Sequence, residues 1–268
     1  MFEILDITLP ETIAPGEAKK TAVDIRKVMY DIQLQRTPEW FERRRGVFTG
    51  SKISELMKSG VASKKYEWGH KQKIVEFSDV AIKYIYSKYK ERKRGKVLKR
   101  DIGMNGDYGK AVEKIVKDTI YKEWDECGFE MFIPGIAGAS PDGKKGNRGL
   151  EIKAAMEWET EYLRVCNALD YQHKDFWQLQ SEMLALKADS ILYVVAEPSE
   201  TLTDVCITDV NEMIVERSVI HQECIVRRCL IGDEIIKRAL DTGNFNESVS
   251  YVLTNTAFVE CDVREYLY

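Results

Sequence analysis

The sequence predicts an α/β (α+β) protein, in which helices and strands are combined in one globular unit with extensions. Short apolar runs, some of them alternating with polar residues, are typical of strands, whereas longer segments carry apolar residues at helical spacing. With 268 residues and 44% hydrophobic side chains, the chain can bury a core of the size that such a unit needs.

The first 35 residues are predicted to form an N-terminal extension with a helix. A short strand-like start leads into a linker between Pro10 and Pro15. Apolar residues then recur at helical spacing between residues 17 and 35, so this segment is predicted to be an amphipathic helix.

Residues 36–46 predict a short helix followed by a turn. Thr37 is a suitable N-cap, Pro38 fits the first helical position, and Gly46 can end the helix. The helix would deliver three consecutive arginines, at positions 43–45, to the turn.

Ser51 is predicted to lie at or near the start of the next helix. The free N–H groups and the dipole of such an end favour phosphate, so an arginine beside it would complete a phosphate pocket. Taken alone, an arginine run is usually a solvated face, and a serine here is usually an ordinary helix cap. The residues by themselves leave both interpretations open.

Residues 74–90 have helical periodicity with many aromatics and pass into a basic stretch. Between positions 83 and 100 there are nine lysines and arginines and a single acid, Glu91. With tyrosines among them, these cations suggest a segment that tracks a nucleic-acid backbone and stacks bases. A mobile charged loop explains the same composition equally well.

A helix with one apolar stripe is predicted for residues 107–124. Glu113 sits at the border of this stripe, where an exposed glutamate is the ordinary outcome. Strands are predicted at 129–134 and 136–139.

The most informative stretch is residues 138–153, which reads GASPDG, a glycine-containing turn and LEIK. Alternate side chains of a strand share a face, so Glu151 and Lys153 are predicted to point to one side and Ile152 into the core. If the turn closes a hairpin, Asp142 lies opposite Glu151. Two carboxylates can then hold Mg²⁺, and the lysine can hold and help deprotonate a water that attacks a phosphodiester.

Helices are predicted at 156–169 and 174–187. In the second helix, Gln178 and Gln180 point about 200° apart at about 100° per residue, so only one of them can face a given site. The remaining predicted elements are strands at 190–196 and 202–210, a long helix at 211–240, and further strands at 251–253 and 258–259.

Overall charge and cysteine usage narrow the class of protein. The net charge of −4 argues against a protein that coats nucleic acid by charge alone, although a local basic groove remains compatible with it. The six cysteines are scattered without a C-x-x-C pair, as expected of a reduced cytosolic protein. The N-terminus has no signal-peptide pattern and no apolar run approaches a membrane span, so a soluble cytoplasmic protein is predicted.

Four blocks stand in a recognisable order along the chain. They are WFERRRGVFTGS at 40–51, GKAVE at 109–113, SPDG with LEIK at 140–143 and 150–153, and QLQ at 178–180. Each block alone is a weak signal, but together they resemble the lambda exonuclease family, also called YqaJ-type viral recombinases, of the PD-(D/E)XK nuclease superfamily.

The resemblance implies a restriction-endonuclease-like core at residues 36–210, with a central mixed β-sheet flanked by helices. The basic segment at about 83–100 would be an insertion in this core. Residues 211–268 would add a long helix and an extension packed on the same domain.

The resemblance also implies a metal centre. Asp142, Glu151 and the backbone carbonyl of Ile152 would ligate Mg²⁺, with Mn²⁺ as a substitute and two ions per site. Lys153 would position and activate the attacking water.

The resemblance implies further site residues. Glu113 would add a carboxylate through a water, and Gln178 would hydrogen-bond the water or the scissile phosphate. Arg44 and Ser51 would bind the 5′-phosphate, with the arginines at 43 and 45 as alternatives.

The activity implied is a metal-dependent 5′-to-3′ exonuclease that degrades one strand of linear double-stranded DNA from 5′-phosphorylated ends. It would act in bacterial or phage-infected cytoplasm and leave 3′ single strands for recombination, with a single-strand annealing protein as partner and a homotrimer as assembly. An endonuclease of restriction or repair type is the alternative. A non-catalytic module that binds DNA ends is a third reading, and the intact set of Asp142, Glu151 and Lys153 argues against it.

Overall fold

The computed structural model describes residues 28, 38–60, 68–97, 103–155, 168–199, 206–255 and 263–267. Apart from residue 28, the helix predicted at 17–35 lies outside these residues. The same holds for most of the helix predicted at 156–169 and for the strand predicted at 258–259.

The described elements include both helices and strands. In chain order they are α1 (Pro38–Glu42), β1 (Phe48–Thr49), α2 (Gly50–Leu56), α3 (Lys71–Val75), α4 (Asp79–Arg94), α5 (Gly103–Thr119), β2 (Glu130–Ile133), β3 (Ala137–Ala139), β4 (Gly143–Lys145), β5 (Arg148–Ala154), α6 (Lys174–Leu186), β6 (Ser190–Pro198), β7 (Ile207–Glu216), α7 (Val219–Thr242), α8 (Phe245–Thr254) and a 3-10 turn (Arg264–Tyr266).

The strands form two mixed sheets. In the first, of order β1-β3-β2, β1 is parallel and β2 antiparallel to β3. In the second, of order β4-β5-β6-β7, the central pair β5 and β6 is parallel and both outer pairs are antiparallel. The predicted class of mixed sheet flanked by helices is therefore confirmed.

Strands β5 and β6 are covered on both faces. Leu150, Ile152 and Val194 pack with the apolar stripe of α5, whereas Tyr193 and Val195 lie in a separate cluster with α6. The alternation along β5 places Ile152 in the core, as predicted, because successive side chains of a strand point to opposite faces. The opposite face of β5, toward α6, carries Glu151 and Lys153.

A second apolar cluster forms around the long helix α7. It includes side chains of α2, α4 and α8, such as Ile53, Ile85 and Val252. Gly232 of α7 allows close packing here, because a Cβ atom at this position would lie 2.8 Å from the ring of Phe48. Among the described helices, none is long and apolar enough to cross a membrane.

Three predicted elements are wrong. The helical segment predicted at 74–90 is divided, because α3 ends at Val75 and α4 begins at Asp79, where the Ser78 side chain caps the new helix by accepting from the Ala81 N–H. The helix predicted to begin at residue 211 begins at Val219, because residues 211–216 complete strand β7, which pairs with β6 from Ser190↔Glu216 to Pro198↔Ile207. This strand pairing outweighs local helix propensity. The strand predicted at 251–253 lies in α8, where Val252 is buried and Tyr251 is 49% exposed, the pattern of one helix face.

Candidate active site

The hairpin predicted around residues 138–153 is confirmed. Strands β4 and β5 pair antiparallel with Gly143 opposite Leu150, and the Asp142 N–H donates to the Leu150 carbonyl at 3.0 Å. Gly146 makes the turn with a φ of 60°. Asp142 therefore stands opposite Glu151. The sequence predicted that Asp142 would end a strand, but in the structure it lies just before β4.

Asp142 is bonded directly to the strand that carries the other site residues. Its Oδ2 accepts a hydrogen bond of 2.8 Å from the backbone N–H of Ile152. This bond fixes one carboxylate oxygen between the positions of Glu151 and Lys153.

Glu151 and Lys153 lie together on the face of β5 that meets α6. The Lys153 ammonium donates to Glu151 Oε1, and it lies 3.3 Å from Gln178 Oε1. Glu151 is only 3% exposed. The sequence prediction of a shared face for these two residues is confirmed.

Helix α6 separates its two glutamines as the helical angle predicts. Gln178 Nε2 donates to Glu151 Oε1 at 2.6 Å. Gln180 points away and bonds the Glu216 carbonyl at 3.1 Å and the Ser218 N–H at 2.9 Å. Gln178 is thus the glutamine that faces the carboxylates, and Gln180 joins α6 to the β7–α7 junction.

Glu182 is a member of the cluster that sequence reasoning missed. It is 1% exposed, and its Oε1 accepts a 2.7 Å hydrogen bond from Gln178 Nε2. Its Oε2 is buried and has no hydrogen-bond partner among the described residues. Its spacing of four residues from Gln178, one helical turn, was the available signal.

Glu113 approaches the cluster from α5. Its side chain is 15% exposed and pairs with Lys110 at 2.9 Å. Its charge contributes to raising the pKa of both Asp142 and Glu151. It is therefore not the freely exposed glutamate that its sequence position alone suggested.

The cluster is electrostatically strained by excess negative charge. Burial and then the charge of Glu151 raise the pKa of Asp142 well above its usual range. Burial and then the charge of Glu182 raise the pKa of Glu151 to about 8, and burial raises that of Glu182 to about 8 as well. Burial lowers the pKa of Lys153, but the surrounding carboxylates outweigh it and raise this pKa well above 10.5.

The donor set fits a hard divalent cation. Within the described part of the chain, the carboxylates of Glu113, Asp142, Glu151 and Glu182 are met by the ammonium groups of Lys110 and Lys153, which leaves an excess of two negative charges when all six groups are ionised. The described residues contain no three acidic, histidine or cysteine side chains arranged to hold a metal by themselves. Mg²⁺ does not need such a cage, because it keeps several waters and is commonly held by one or two carboxylates.

Arg44 occupies a separate, partly buried position beside the hairpin. Its guanidinium lies 4.0 Å from the ring centroid of Trp40 and 4.7 Å from that of Phe129, and it donates to Ser140 Oγ. Within the described residues its Nε has no hydrogen-bond partner. Burial lowers the Arg44 pKa to about 10, so the side chain stays charged at neutral pH.

The two neighbouring arginines have other partners. Arg43 donates to the Phe129 carbonyl at 3.1 Å. Arg45 pairs with Glu42 at 2.7 Å and donates to the Gly95 carbonyl at 3.1 Å. Of the three, Arg44 is the one that keeps a buried donor for a ligand.

Ser51 is the second residue of α2 and is exposed. No hydrogen bond between the described atoms joins it to Arg44. The preceding Gly50 lies against the strand that leads to Ser140, because a Cβ at Gly50 would be 2.9 Å from Ala139 Cβ. The start of α2 and Arg44 thus approach the same short segment from different sides.

Comparisons with known proteins relate the fold to nucleases. No family model matches the chain, and no curated protein matches it in sequence. An alkaline exonuclease from Laribacter hongkongensis is similar in structure, with a TM-score of 0.56 and 16% identity over 83% of this chain and 100% of that one. Its complex with dAMP has a TM-score of 0.51 and 15% identity over the same shares of the two chains.

A phage-related exonuclease from Haemophilus somnus is also similar. Its TM-score is 0.54, with 10% identity over 74% of this chain and 96% of that one. At these identities the likeness shows a shared fold, in which helices flank mixed sheets.

Proposed function

We propose that this protein is a metal-dependent 5′-to-3′ exonuclease that degrades one strand of linear double-stranded DNA and leaves a 3′ single strand. One observation carries the proposal: Asp142, Glu151, Lys153 and Gln178 converge in one buried polar cluster. Phosphodiester hydrolysis by a hard cation needs carboxylate oxygens beside a positioned donor for water and phosphate, and this cluster supplies both.

Asp142 and Glu151 are the residues that would hold the cation, with the Ile152 carbonyl between them. When bound, Mg²⁺ supplies Lewis-acid stabilisation of charge on the phosphate and a source of nucleophilic hydroxide. The excess negative charge of the cluster supports this assignment, because a divalent cation compensates it.

Lys153 acts as a donor in this proposal. The surrounding carboxylates hold it in the ammonium form at neutral pH, so it can orient a water or stabilise charge on phosphate oxygens. A proton lost by that water would pass to a carboxylate. Gln178 fixes the Glu151 carboxylate through its Nε2 and offers its Oε1 to Lys153.

The position of Arg44 supports the proposed 5′-to-3′ direction of digestion. Its charged guanidinium donates to Ser140, two residues before Asp142, and its buried Nε–H has no partner among the residues that the structure describes. A terminal 5′-phosphate held by Arg44 and by the start of α2 at Ser51 would fix which linkage reaches the carboxylates. The next linkage inward from the 5′ end is then the one that is cut.

The structural neighbours support the class of reaction. All three bear the name of an exonuclease, and one of them is in complex with dAMP, a deoxynucleotide. The carboxylate cluster lies in a fold that is shared with these proteins, which supports its proposed role as a deoxyribonuclease site.

Digestion of linear duplex DNA with 5′-phosphates tests the proposal. Degradation is expected with Mg²⁺ or Mn²⁺ and not with EDTA, and closed circular DNA should remain intact. Asp142→Asn should reduce the rate at least about 100-fold, because it removes a charge that the reaction needs.

Asp118→Asn is the matched control, since Asp118 is an exposed aspartate that pairs with Lys114 on α5. It should leave the rate unchanged. Equal activity of folded Asp142→Asn and Asp118→Asn proteins would contradict the assignment of Asp142 to the active site. Cleavage of closed circular DNA would indicate an endonuclease instead.

A further inference from the structure

A cleft of about 680 Å³ lies between α4 and the turn that joins α7 to α8. One wall is formed by side chains of α4, and the other consists of residues 242–246. The residues of this cleft take no part in the carboxylate cluster.

The basic side chains of α4 fall into two sets, those that pair with carboxylates and those that line the cleft. Lys88 is buried and pairs with Glu91 at 3.0 Å, and Arg92 pairs with Asp233 of α7 at 2.6 Å. The Lys88 pair therefore lies within α4, whereas the Arg92 pair fastens α4 to α7. The remaining lysines of the helix that line the cleft are Lys83, Lys90 and Lys93.

These three lysines have no carboxylate partner among the described residues, and no aspartate or glutamate is among the residues that line the cleft. Lys90 Nζ lies 5.5 Å from the Tyr86 ring, and Lys93 Nζ donates to the Tyr89 hydroxyl at 3.0 Å. In a protein with a net charge of −4, the cleft is a local site of uncompensated positive charge.

An aromatic ring is exposed between the lysines. Tyr86 is 42% exposed, and its ring is held by an edge contact with Phe245 at 4.9 Å and by Tyr89 at 5.8 Å. A supported but accessible ring beside lysines is the arrangement on which bases of a single strand stack.

The spacing fits a short run of nucleotides. Lys83 and Lys93 are ten residues apart on one helix, which corresponds to about 15 Å at a rise of 1.5 Å per residue. At about 3.4 Å per nucleotide of a stacked strand, this length spans roughly four phosphates.

The cleft is also tied to the turn that carries Arg44. The Gly46 N–H donates to Glu91 at 2.9 Å, Arg92 donates to the Gly46 carbonyl at 3.0 Å, and Arg45 donates to the Gly95 carbonyl at 3.1 Å. The last turns of α4 and the Arg44 turn are therefore held together as one unit.

We propose that this cleft is a second nucleic-acid site, which binds single-stranded DNA with its backbone along Lys83, Lys90 and Lys93 and a base on Tyr86. The choice of DNA rests on the proposed nuclease function. The preference for a single strand rests on Tyr86, because the bases of a duplex are already stacked on one another.

Fluorescence anisotropy with labelled oligo(dT) that bears a 5′-hydroxyl, in EDTA, tests the cleft without digestion and without a terminal phosphate. Lys83→Gln/Lys90→Gln should weaken binding about tenfold in low salt and reduce the salt slope by about 1.4, at about 0.7 per phosphate contact. Tyr86→Leu, which keeps an apolar side chain against Phe245, should weaken binding about tenfold through lost stacking.

Two control variants match these changes on other surfaces. Lys58→Gln/Lys122→Gln removes two exposed lysines outside the cleft. Tyr251→Leu removes a tyrosine that is 49% exposed and lies under Arg238 at 3.6 Å. Both should bind oligo(dT) like the parent protein, and melting curves confirm that every variant is folded.

The outcomes separate this site from the nuclease proposal. Cleft variants that bind oligo(dT) as tightly as the controls overturn the site, whatever the nuclease activity. If the double lysine variant loses duplex and single-strand binding equally and Tyr86→Leu has no effect, the single-strand site is also overturned. The cleft would then be a site for duplex DNA. Binding that depends on the cleft in a protein without nuclease activity would support the site and reject the proposed function.

Discussion

Glu151 and Glu182 make the stability of the protein depend on pH in an unusual direction. Both carboxyls have a pKa of about 8 in the folded protein, raised first by burial, against an ordinary value of about 4.3 in an unfolded chain. Between these values the folded state binds more protons than the unfolded state. The free energy of unfolding contributed by these groups therefore falls as pH rises from about 4.5 to about 8.

Glu182→Gln isolates this effect. The variant removes one buried carboxylate but keeps an oxygen that can accept the hydrogen bond from Gln178. In EDTA, it should gain stability relative to the parent protein as pH rises from 5 to 8, as measured by urea unfolding at each pH. Mg²⁺ should stabilise the parent protein most at the upper end of this range, and a difference between the two proteins that does not change with pH would contradict the account.

Arg44 is expected to govern the recognition of the end and not the chemistry. Arg44→Ala should selectively lower the rate on 5′-phosphorylated ends, so that the preference over 5′-hydroxyl ends falls about tenfold or more, since a charge-assisted bond is lost. Arg43→Ala is the control, because Arg43 is exposed and donates to the Phe129 carbonyl. If the preference for 5′-phosphorylated ends is unchanged in the Arg44 variant, Arg44 has only a structural role between the rings of Trp40 and Phe129.

Part of this residue pattern was visible in the sequence. The period of a strand and a short turn relate Asp142, Glu151 and Lys153 locally, so their convergence was predicted. The surroundings of Arg44 were not, because Phe129 and Ser140 are distant in sequence from it. Glu182 was missed because it lies among buried residues of α6, although its spacing of one turn places it on the same face as Gln178, which it contacts.

At the scale of elements, α6 uses its two glutamines for different tasks. Gln178→Ala should lower the rate at least about tenfold, because it removes the donor that holds the Glu151 carboxylate. Gln180→Ala should cost about 1 kcal/mol of stability, because it removes the side chain that bonds the part-buried Glu216 carbonyl and Ser218 N–H, and it should keep the rate. Kinetics and urea unfolding of both variants check this, and a reversed pattern would mean that the wrong glutamine is assigned.

The elements that sequence predicted best are those whose pattern is local. The hairpin of β4 and β5 and the helices α5 and α6 carry their own turn or stripe signals. The start of α7 was misplaced because residues 211–216 become a strand only through pairing with β6, which the local sequence does not encode. The segment at 251–253 looked like a strand because aromatic and branched residues favour strands, yet of these three residues only Val252 is buried, on the inner face of α8.

At the scale of the whole molecule, three elements meet at one polar cluster. The α5 helix brings Glu113, the hairpin brings Asp142, Glu151 and Lys153, and α6 brings Gln178. The Arg44 turn lies beside the hairpin and is fastened to α4.

The polarity of digestion is the measurement that tests the central claim most directly. A linear duplex carries a 5′-phosphate on both strands, with a radioactive label either at that 5′ end or at the 3′ end, and is digested with Mg²⁺. The account predicts that the 5′ label appears first as a mononucleotide while the 3′ label stays in long strands, and that Asp142→Asn releases neither. Early release of the 3′ label, or release of the 5′ label by folded Asp142→Asn protein, would contradict it.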